Sequence, residues 1–357
     1  MLAELTIKHL RNISALTLEP SSAINLLLGD NGSGKTSALE AIHLLALGRS
    51  FRTRSLKNVV QFEQQKLQVL AKIAHHQMPV GLQYGIESGL EIRLNNAPLK
   101  KLSELATELP LQFIPANCHQ FFEQGPKYRR QLLDWGLFHV EPSFNFHWQS
   151  YKKVIQQRNS AIRQYKKTEE IQLWDSHLIS HGEEINRQRV KRLEALLVEF
   201  SYIFPKLCPN YASHVFSLKY RSGWTKGVTL QEAIGLTIER DKQLGYTRSG
   251  PHAADWSFKV GGYDPSEIFS RGQQKIFFMA LCMAQIKTTQ QDRAKSILLI
   301  DDISSELDAA HQEIILDKLS ELPVQTFITS TDNGLADLMN SDALCATFHV
   351  KQGALIP

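Results

Sequence analysis

The sequence predicts an α/β protein whose parallel sheet is interrupted along the chain by an inserted helical hairpin. Three observations lead to this prediction. A glycine-rich loop joins the apolar run Ala23–Leu28, which reads as a buried strand, to helical spacing over Thr36–Leu47. A second aliphatic run, Ile297–Ile300, ends directly in two aspartates, as a buried strand does at the ligand-binding edge of a parallel sheet. Between them, from Pro126 to around Phe204, helical periodicity dominates.

The elements suggest three parts. Residues 1–122 carry the glycine-rich loop and an antiparallel β subdomain, 123–210 form the helical insertion, and 211–357 return to the sheet. The strands expected in the first part are Ala3–Lys8, Ala15–Glu19, Leu67–Ala74, Gly81–Glu87, Glu91–Leu94 and Leu111–Ile114, with a tight turn at Asn95-Asn96. The insertion is predicted as a short antiparallel hairpin of Ser143–Lys167 and Trp174–Phe200, each helix roughly 40 Å long. The third part is expected to contain Val215–Arg221, Leu230–Leu244, Lys275–Lys287, Ile297–Ile300 and Thr326–Ser330.

The glycine-rich loop has the form G-x-x-x-x-G-K-T, and each residue type suits a phosphate. Its glycines let the backbone wrap tightly with N–H groups facing phosphate oxygens, and the following helix start adds positive charge. Lys35 is expected to reach the β- and γ-phosphates of ATP, and Thr36 to offer its hydroxyl to Mg²⁺. The predicted nucleotide-binding residues here are Gly29, Asp30, Asn31, Gly32, Ser33, Gly34, Lys35, Thr36 and Ser37.

The two aspartates after Ile300 are the predicted magnesium and hydrolysis residues. Asp301 is expected to hold Mg²⁺ through a water, together with Thr36, and Asp302 to polarise the attacking water. Lys35, Asp301 and Asp302 are therefore the predicted catalytic residues. An alternative is that the aspartate pair caps the next element.

A third motif, Ser270-Arg271-Gly272-Gln273-Gln274, lies about 30 residues before the aspartates and precedes a helical run. A serine and backbone N–H groups at a helix start can form a second anion site, although the motif taken alone is more typical of a plain helix N-cap. Because one chain does not usually bring both sites to one phosphate, Ser270, Gly272 and Gln273 are expected to bind the nucleotide of a second copy. The order of the three motifs resembles ATPases of the ABC class, which dimerise on ATP. In that class Ser305–Asp308 resembles a loop that crosses the dimer interface, and the position of Asp302 is often Glu, so slow hydrolysis is a hypothesis.

Runs outside the ATPase motifs resemble the RecF family of bacterial recombination-mediator ATPases, short relatives of SMC and Rad50 proteins. They are Leu10–Asn12, Gly48–Arg52, Tyr128–Trp135 and Gly250–His252. The resemblance implies that Arg11 and Asn12 lie near the nucleotide. It also implies a weak, DNA-stimulated ATPase that dimerises with ATP on duplex DNA at gap junctions. RecR and RecO would be its partners, with RecA loaded on the gap, in recombination, replication restart and the SOS response to DNA damage.

The sequence departs from the family pattern in two places, at Pro115–Cys118 and at Ala253-Ala254, which follow His252 where the family commonly has a basic and an acidic residue. Pro115–Cys118 stands where the family shows acidic residues after the proline, which leaves the Q-loop residue open among Asn117, His119 and Gln120. A separate departure is from the transporter ATPases, which carry a histidine for the γ-phosphate after the last core strand, where this chain has Thr331 and Asp332; this difference agrees with the family resemblance.

Composition sets outer limits on function. The 357 residues are 43% hydrophobic with a net charge of +4, which neither demands nor excludes nucleic acid. The cysteines contain no C-x-x-C pair, so a zinc site, a Rad50-type zinc hook and a disulfide framework are not indicated. No apolar run reaches about 18 residues and the N-terminus alternates like a strand, so no membrane partner and a cytoplasmic location are expected.

Basic residues on the insertion are candidates for phosphate contact, although they could equally form a solvated face balanced by nearby glutamates. On the first helix they are Lys152, Lys153, Arg158, Arg163, Lys166 and Lys167, and on the second Arg187, Arg189, Lys191 and Arg192, with Tyr151, Tyr165 and Trp174 interleaved. A second candidate surface on the head comprises Arg49, Arg52, Arg54 and Lys57. Arg129 and Arg130 are ambiguous, because they could instead couple the ATP site to the helical arm.

The sequence therefore predicts an ABC-type P-loop ATPase head with an inserted helical domain, acting as an ATP-driven DNA clamp. Two alternatives remain: an ABC transporter ATPase subunit, which the missing histidine disfavours, and a nucleotide-dependent repair scaffold with little hydrolysis.

Overall fold

The computed structural model describes residues 1–74, 77–289, 296–338 and 345–356. The chain divides into two compact units: Met1–Cys118 together with Asp292–Pro357, and His119–Gln291. By this measure residues 211–291 group with the helical segment. The three-part functional division at residues 122 and 210 stays a prediction.

In residues 1–118 the elements are β1 (Leu2–Leu10), β2 (Ile13–Leu18), β3 (Ile24–Leu28), α1 (Lys35–Leu47), β4 (Lys66–Ile73), β5 (Met78–Gly85), β6 (Gly89–Leu94), β7 (Ala97–Pro98), α2 (Leu102–Glu108) and β8 (Leu111–Ile114). In residues 119–291 they are α3 (Gln120–Glu123), α4 (Pro126–Val140), α5 (Phe144–Arg163), α6 (Thr168–Gln172), α7 (Asp175–Leu207), β9 (Phe216–Arg221), α8 (Leu230–Leu244), β10 (Asp255–Val260), α9 (Pro265–Ile268) and α10 (Arg271–Thr289). The remainder of the chain adds β11 (Ile297–Ile300), α11 (Ala309–Ser320), β12 (Gln325–Ser330), α12 (Leu335–Leu338), β13 (Cys345–Lys351) and β14 (Ala354–Ile356).

The first unit contains the predicted parallel sheet, with strand order β14-β13-β3-β12-β11-β8. Strands β13, β3, β12, β11 and β8 run parallel, and β14 is an antiparallel edge. Every residue of β3, β11 and β12 is buried, as expected for strands covered on both faces. Because the strands are parallel, the loops after β3, β11 and β12 leave the sheet at one edge.

A second, antiparallel sheet in the same unit has the order β2-β1-β4-β5-β6-β7. Helix α1 contacts strands of both sheets and is buried over nearly its whole length, which explains why its apolar residues are spread around the helix and not confined to one stripe. The predicted turn at Asn95-Asn96 is confirmed: both residues have positive φ, 50° and 65°, and Leu94 pairs with Ala97. This is the backbone of a tight hairpin turn that asparagine tolerates.

The second unit is built around α7, whose 33 residues span roughly 50 Å. Helices α4, α5, α8 and α10 pack on it, and β9 pairs antiparallel with β10. Helix α5 ends at Arg163, earlier than predicted, whereas α7 continues past the predicted end at Phe200 and through Pro205 to Leu207. The continuation buries Phe204 and Leu207, and this apolar burial opposes the helix-breaking tendency of proline. Within the described parts of the chain, no helix is both long and apolar enough to cross a bilayer.

Candidate active site

The glycine-rich loop runs from the end of β3 to the first residue of α1, in the predicted strand–loop–helix arrangement. Gly29 has φ 151°, and a Cβ there would lie 2.2 Å from the carbonyl oxygen of Val350, so only glycine fits. The Lys35 ammonium donates to the carbonyl oxygens of Gly29 (2.6 Å) and Asp30 (2.9 Å). Burial lowers the pKa of Lys35, while the carboxylates of Asp302, Asp30 and Asp301 oppose that shift. The lysine is thus held over the loop where a phosphate would take the place of the two carbonyls.

One buried polar atom in the loop fits an anionic ligand. Ser33 Oγ is buried and has no hydrogen-bond partner among the described residues, although buried hydroxyls are normally paired. Together with the backbone cradle of Gly32 and Gly34, both of which have positive φ, this hydroxyl gives the loop an unused donor for a phosphate oxygen.

Asn12, in the turn between β1 and β2, binds both the glycine-rich loop and the start of α1 through its side chain. Its side-chain NH₂ donates to the carbonyl oxygen of Gly32 (2.9 Å), and its oxygen accepts from Ser37 Oγ (2.9 Å). Its neighbour Arg11 instead forms two 2.9 Å hydrogen bonds with Glu40 of α1. Asn12 therefore shapes the nucleotide loop, and direct contact of Arg11 with nucleotide stays a prediction.

Glu40 is a buried acid of α1 beside the candidate site that was not predicted from the sequence. Its side chain is fully buried and also accepts from Ser50 Oγ, with Arg52 at 3.8 Å. Since a buried carboxylate is costly unless paired, Glu40 fixes Arg11 and the loop after α1 against the same helix. A charged residue inside an apolar helix was the available signal.

The aspartates after β11 lie beside the start of α1. Thr36 Oγ1 donates to Asp301 Oδ1 at 2.9 Å, so the two predicted magnesium ligands, which are 265 residues apart in sequence, come together. Thr329 Oγ1 donates to the same oxygen at 2.8 Å. Asp302 has φ 52°, an uncommon left-handed conformation for a non-glycine residue, and its Oδ1 accepts from Ser304 Oγ at 3.2 Å. A hydroxyl and a carboxylate in contact form the donor set that Mg²⁺ with bound phosphate requires.

The Ser270 motif lies in the second unit, at the start of α10. Ser270 Oγ accepts from the backbone N–H of Gln273 (3.3 Å), and the Gln273 side chain accepts from the N–H of Ser270 (3.0 Å). This is a reciprocal capping box, and it starts the helix four residues before the predicted Lys275. Ser270 is exposed at this helix start. A role for Ser270, Gly272 and Gln273 in a second protomer's site stays a prediction.

The comparisons with known proteins identify the family. Residues 1–355 match the model of the RecF/RecN/SMC N terminal domain. The DNA replication and repair protein RecF of Nitrosococcus oceani is 39% identical over 99% of this chain and 98% of its own. That of Pseudoalteromonas translucida is 37% identical over 99% of each chain. The chain belongs to the RecF family.

Solved structures agree with this assignment. A structure described as the recombination mediator protein RecF-ATP in the RecFOR pathway has a TM-score of 0.82 and 25% identity, covering 99% of this chain and 96% of that one. An SMC head bound to the C-winged helix domain of ScpA has a TM-score of 0.62 at 15% identity, covering 99% and 95%. The predicted ABC-type head, shared by RecF and SMC proteins, is confirmed.

Three of the basic residues proposed for phosphate contact are buried, which corrects that part of the prediction. Arg158 has a fully buried side chain and binds Asp175 (2.8 Å) and Asp241 (3.0 Å). The other two are Arg189, bound to Asp134 and the carbonyl oxygen of Pro251, and Arg192, bound to the carbonyl oxygens of Gln285 and Thr288. These guanidiniums join helices to one another and are not available to DNA.

The remaining basic residues of the insertion are exposed: Lys152, Lys153, Arg163, Lys166, Lys167, Arg187 and Lys191. On the head, Arg49, Arg52, Arg54 and Lys57 are exposed as well. Of the interleaved aromatics, Tyr151 is fully buried and Tyr165 is 90% exposed. Both candidate phosphate-contacting surfaces therefore remain predictions, and the one on the insertion has fewer basic residues than predicted.

Two of the runs that resemble the RecF family, Tyr128–Trp135 and Gly250–His252, make hydrogen bonds around the start of β10 in the second unit. Arg129 forms two hydrogen bonds to Asp255 (2.8 and 3.0 Å), and Arg130 donates to the carbonyl oxygen of Ala254. His252 Nδ1 lies 2.7 Å from the Tyr151 hydroxyl, and Nε2 lies 2.9 Å from the carbonyl oxygen of Thr247. Because a carbonyl only accepts, Nε2 carries the proton and Nδ1 accepts from the tyrosine. Both runs thus hold the loop before β10.

The remaining predicted positions follow strands β8 and β12 in the chain, and Gln120 begins α3. Asn117 is exposed after β8, His119 Nδ1 is buried without a partner in the described chain, and the Gln120 side chain accepts from Gln124. The choice among the three stays open. After β12, the Asp332 carboxylate accepts from the N–H of Gly334 at 2.9 Å, which closes a turn, and a contact of Thr331 or Asp332 with the γ-phosphate stays a prediction.

Proposed function

We propose that this chain is an ATP-driven DNA clamp of recombinational repair. The observation that carries the proposal is the contact between Thr36 of the glycine-rich loop and Asp301 at the end of β11, 2.9 Å apart. It unites a phosphate cradle with a carboxylate, as ATP hydrolysis with Mg²⁺ requires. RecF relatives of nearly equal length and a RecF-ATP structure support the choice of ATP and of DNA repair.

Each residue has a proposed role in the site. Lys35 would leave the Gly29 and Asp30 carbonyls to bind the β- and γ-phosphates, and Ser33 would donate to a phosphate oxygen. Thr36 and Asp301 would hold Mg²⁺, whose charge would neutralise the charge developing on the phosphates. Asp302 would orient the attacking water. Ser270, Gly272 and Gln273 of a second copy would complete the γ-phosphate site, so that ATP joins two protomers.

DNA would be held through its phosphates, by the exposed lysines of α5 and by the basic segment after α1. Sequence-independent binding of this kind suits a protein that marks gap junctions. RecR and RecO would be the cytoplasmic partners, leading to RecA loading, replication restart and the SOS response. This part rests on the RecF family and on the RecFOR pathway named for the solved relative.

The test is ATP hydrolysis as a function of protein concentration, with and without gapped duplex DNA. A weak rate that DNA stimulates and that rises more steeply than linearly with protein is the expected result, because each site needs two chains. A linear rate that is indifferent to DNA would overturn the clamp.

The scaffold alternative is favoured by one feature, the shorter aspartate at the position of Asp302. Asp302→Asn would separate the two hypotheses in cells exposed to DNA damage. Loss of recovery is expected for an active clamp, whereas full recovery would indicate a scaffold that needs only nucleotide binding.

A further inference from the structure

One threonine near the end of β12 contacts both predicted acidic residues. Thr329 is 1% exposed, and its Oγ1 lies 2.8 Å from Asp301 Oδ1 and 2.8 Å from the backbone nitrogen of Asp302. A carboxylate accepts and an N–H donates, so the hydroxyl must donate to Asp301 and accept from Asp302. Its single proton and one lone pair are thereby both assigned.

The same residue also anchors the backbone that follows β11. The carbonyl oxygen of Thr329 accepts from the N–H of Ile303 at 3.1 Å, and on the other side Asp301 N–H donates to the carbonyl oxygen of Ile114 at 3.0 Å. Between these two main-chain bonds, the N–H of Asp302 is taken by a side chain, the Thr329 hydroxyl. A side-chain hydrogen bond therefore replaces main-chain pairing at Asp302, where the chain leaves the strand.

Asp302 needs such support because of its conformation. Its φ of 52° is left-handed, a conformation that is unfavourable for a non-glycine residue and that persists only where surrounding contacts fix it. The Thr329 hydroxyl accepts from the N–H of this residue, so it helps to fix the backbone from which the Asp302 carboxylate extends. The contact from Thr329 therefore bears on where both carboxylates point.

We propose that Thr329 is a positioning residue of the hydrolytic site, holding Asp301 for the metal and Asp302 for the water through one hydroxyl. The proposal rests on the function proposed above. Asp301 Oδ1 accepts from Thr36 and Thr329 together, which orients the carboxylate with Oδ2 as the oxygen for Mg²⁺ or its water. Removing the Thr329 hydroxyl takes away one of these two donors and so loosens the Asp301 carboxylate, and it removes the side-chain acceptor of the Asp302 N–H.

The chain offers a matched control on the same strand. Thr326 is 0% exposed, and its Oγ1 has no hydrogen-bond partner among the described residues. Thr329→Val and Thr326→Val make the same chemical change at the same depth, but only the first removes hydrogen bonds to the site. Thr329→Ser keeps the hydroxyl and loses only a methyl group.

The experiment measures kcat and KM for ATP, the Mg²⁺ concentration for half-maximal rate, and the affinity for a fluorescent ATP analogue in EDTA. For Thr329→Val we expect kcat to fall about 10- to 100-fold and the Mg²⁺ requirement to rise. Metal-free nucleotide affinity should stay within about twofold, since the Thr329 hydroxyl makes its hydrogen bonds to Asp301 and Asp302 and not to the phosphate loop. Thr329→Ser should recover most of the rate, and Thr326→Val should behave as wild type.

Equal losses in the two valine variants, or no loss in Thr329→Val, would overturn the proposal. If the valine variant does not fold, Thr329→Ala provides a second hydroxyl-free side chain for the same comparison. Failure of the proposed clamp is a separate outcome, because a DNA-indifferent wild-type rate leaves the Thr329 comparison intact. If the wild type does not hydrolyse ATP, Mg²⁺-dependent tightening of analogue binding becomes the readout, and it should be lost in Thr329→Val alone.

Discussion

Arg158 and Lys152 lie on the same helix and have the same formal charge, yet the structure predicts opposite consequences for their removal. The Arg158 side chain is fully buried and so is that of Asp241, its partner at 3.0 Å. Lys152 is exposed. Methionine keeps an unbranched, flexible side chain of similar length in both places. The comparison therefore isolates the effect of removing the charge in a buried and in an exposed setting.

Removing one partner of a buried ion pair costs about 3–5 kcal/mol, because the other charge stays buried without compensation. Arg158→Met leaves Asp241 in that condition and also removes the hydrogen bond to Thr247 (2.8 Å). For a unit of this size, about 2–4 °C of melting temperature is lost per kcal/mol, which predicts a decrease of about 6–20 °C. Lys152→Met should change stability by less than about 0.5 kcal/mol.

The loss in Arg158→Met should also depend on pH. Burial raises the pKa of Asp241, while Arg158 opposes that shift, so the variant raises the pKa further. A carboxyl group whose folded pKa exceeds its unfolded value destabilises the fold increasingly as pH rises above the unfolded value. The difference from wild type should therefore be greater at pH 8 than at pH 5.

The assays are thermal unfolding by circular dichroism and anisotropy titrations of gapped duplex DNA over a range of salt. If Lys152 contacts a phosphate, its removal should weaken binding and reduce the salt slope by about 0.9. The reasoning would be refuted if Arg158→Met had the melting temperature of the wild type and a lower salt dependence of DNA binding, because that is the behaviour of an exposed phosphate contact.

Two further predictions concern the first unit and acid stability. Arg11→Ala should cost about 3 kcal/mol and weaken nucleotide binding through Asn12, whereas Arg54→Ala, at an exposed position, should melt as wild type; equal melting of both variants would contradict the Glu40 assignment. Burial lowers the pKa of His43, His139 and His252 to about 4, below the unfolded value of about 6.5. The unfolded chain therefore binds protons first, and stability present above about pH 6.5 should be lost as pH falls toward 4, by about 3 kcal/mol per histidine. For His252→Gln we expect a shallower dependence of melting temperature on pH, reduced by the contribution of one protonation. An unchanged slope would show that His252 does not contribute.

The sequence was sufficient for the sheet and for the phosphate loop because their signals are local. Strands β8 and β11 have the predicted bounds, and a G-x-x-x-x-G-K-T loop fixes its own backbone through glycine and its own helix start. Strands β10 and β13 were not predicted. Strand β13 has intermediate and exposed residues in most positions, and its place beside β3 depends on pairing across more than 300 residues.

The buried arginines show a different limit. Asp241 is 83 residues from its partner Arg158, and Asp134 is 55 residues from its partner Arg189, so charge counting along one helix could not find these pairs. A signal was nevertheless present in the spacing. Arg189 and Arg192 share the apolar stripe of α7 that includes Ile185, Leu193 and Leu196, and a charge in register with such a stripe faces the core.

Thr329 and Glu40 illustrate why the motif residues were easier to predict than their supports. A motif residue is recognised by the chemistry it must perform, whereas a support is recognised only by what it touches. Thr329 is one polar residue in a buried strand, and nothing in its sequence neighbours distinguishes it from Thr326, whose hydroxyl has no hydrogen-bond partner within the described part of the chain. The difference arises because β12 pairs with β11 in a register that places Ile328 beside Ile300, which puts the next residue against the aspartates. The position of the carboxylates is therefore a property of the sheet register, and substitutions that shift this register should impair the site without touching any motif residue.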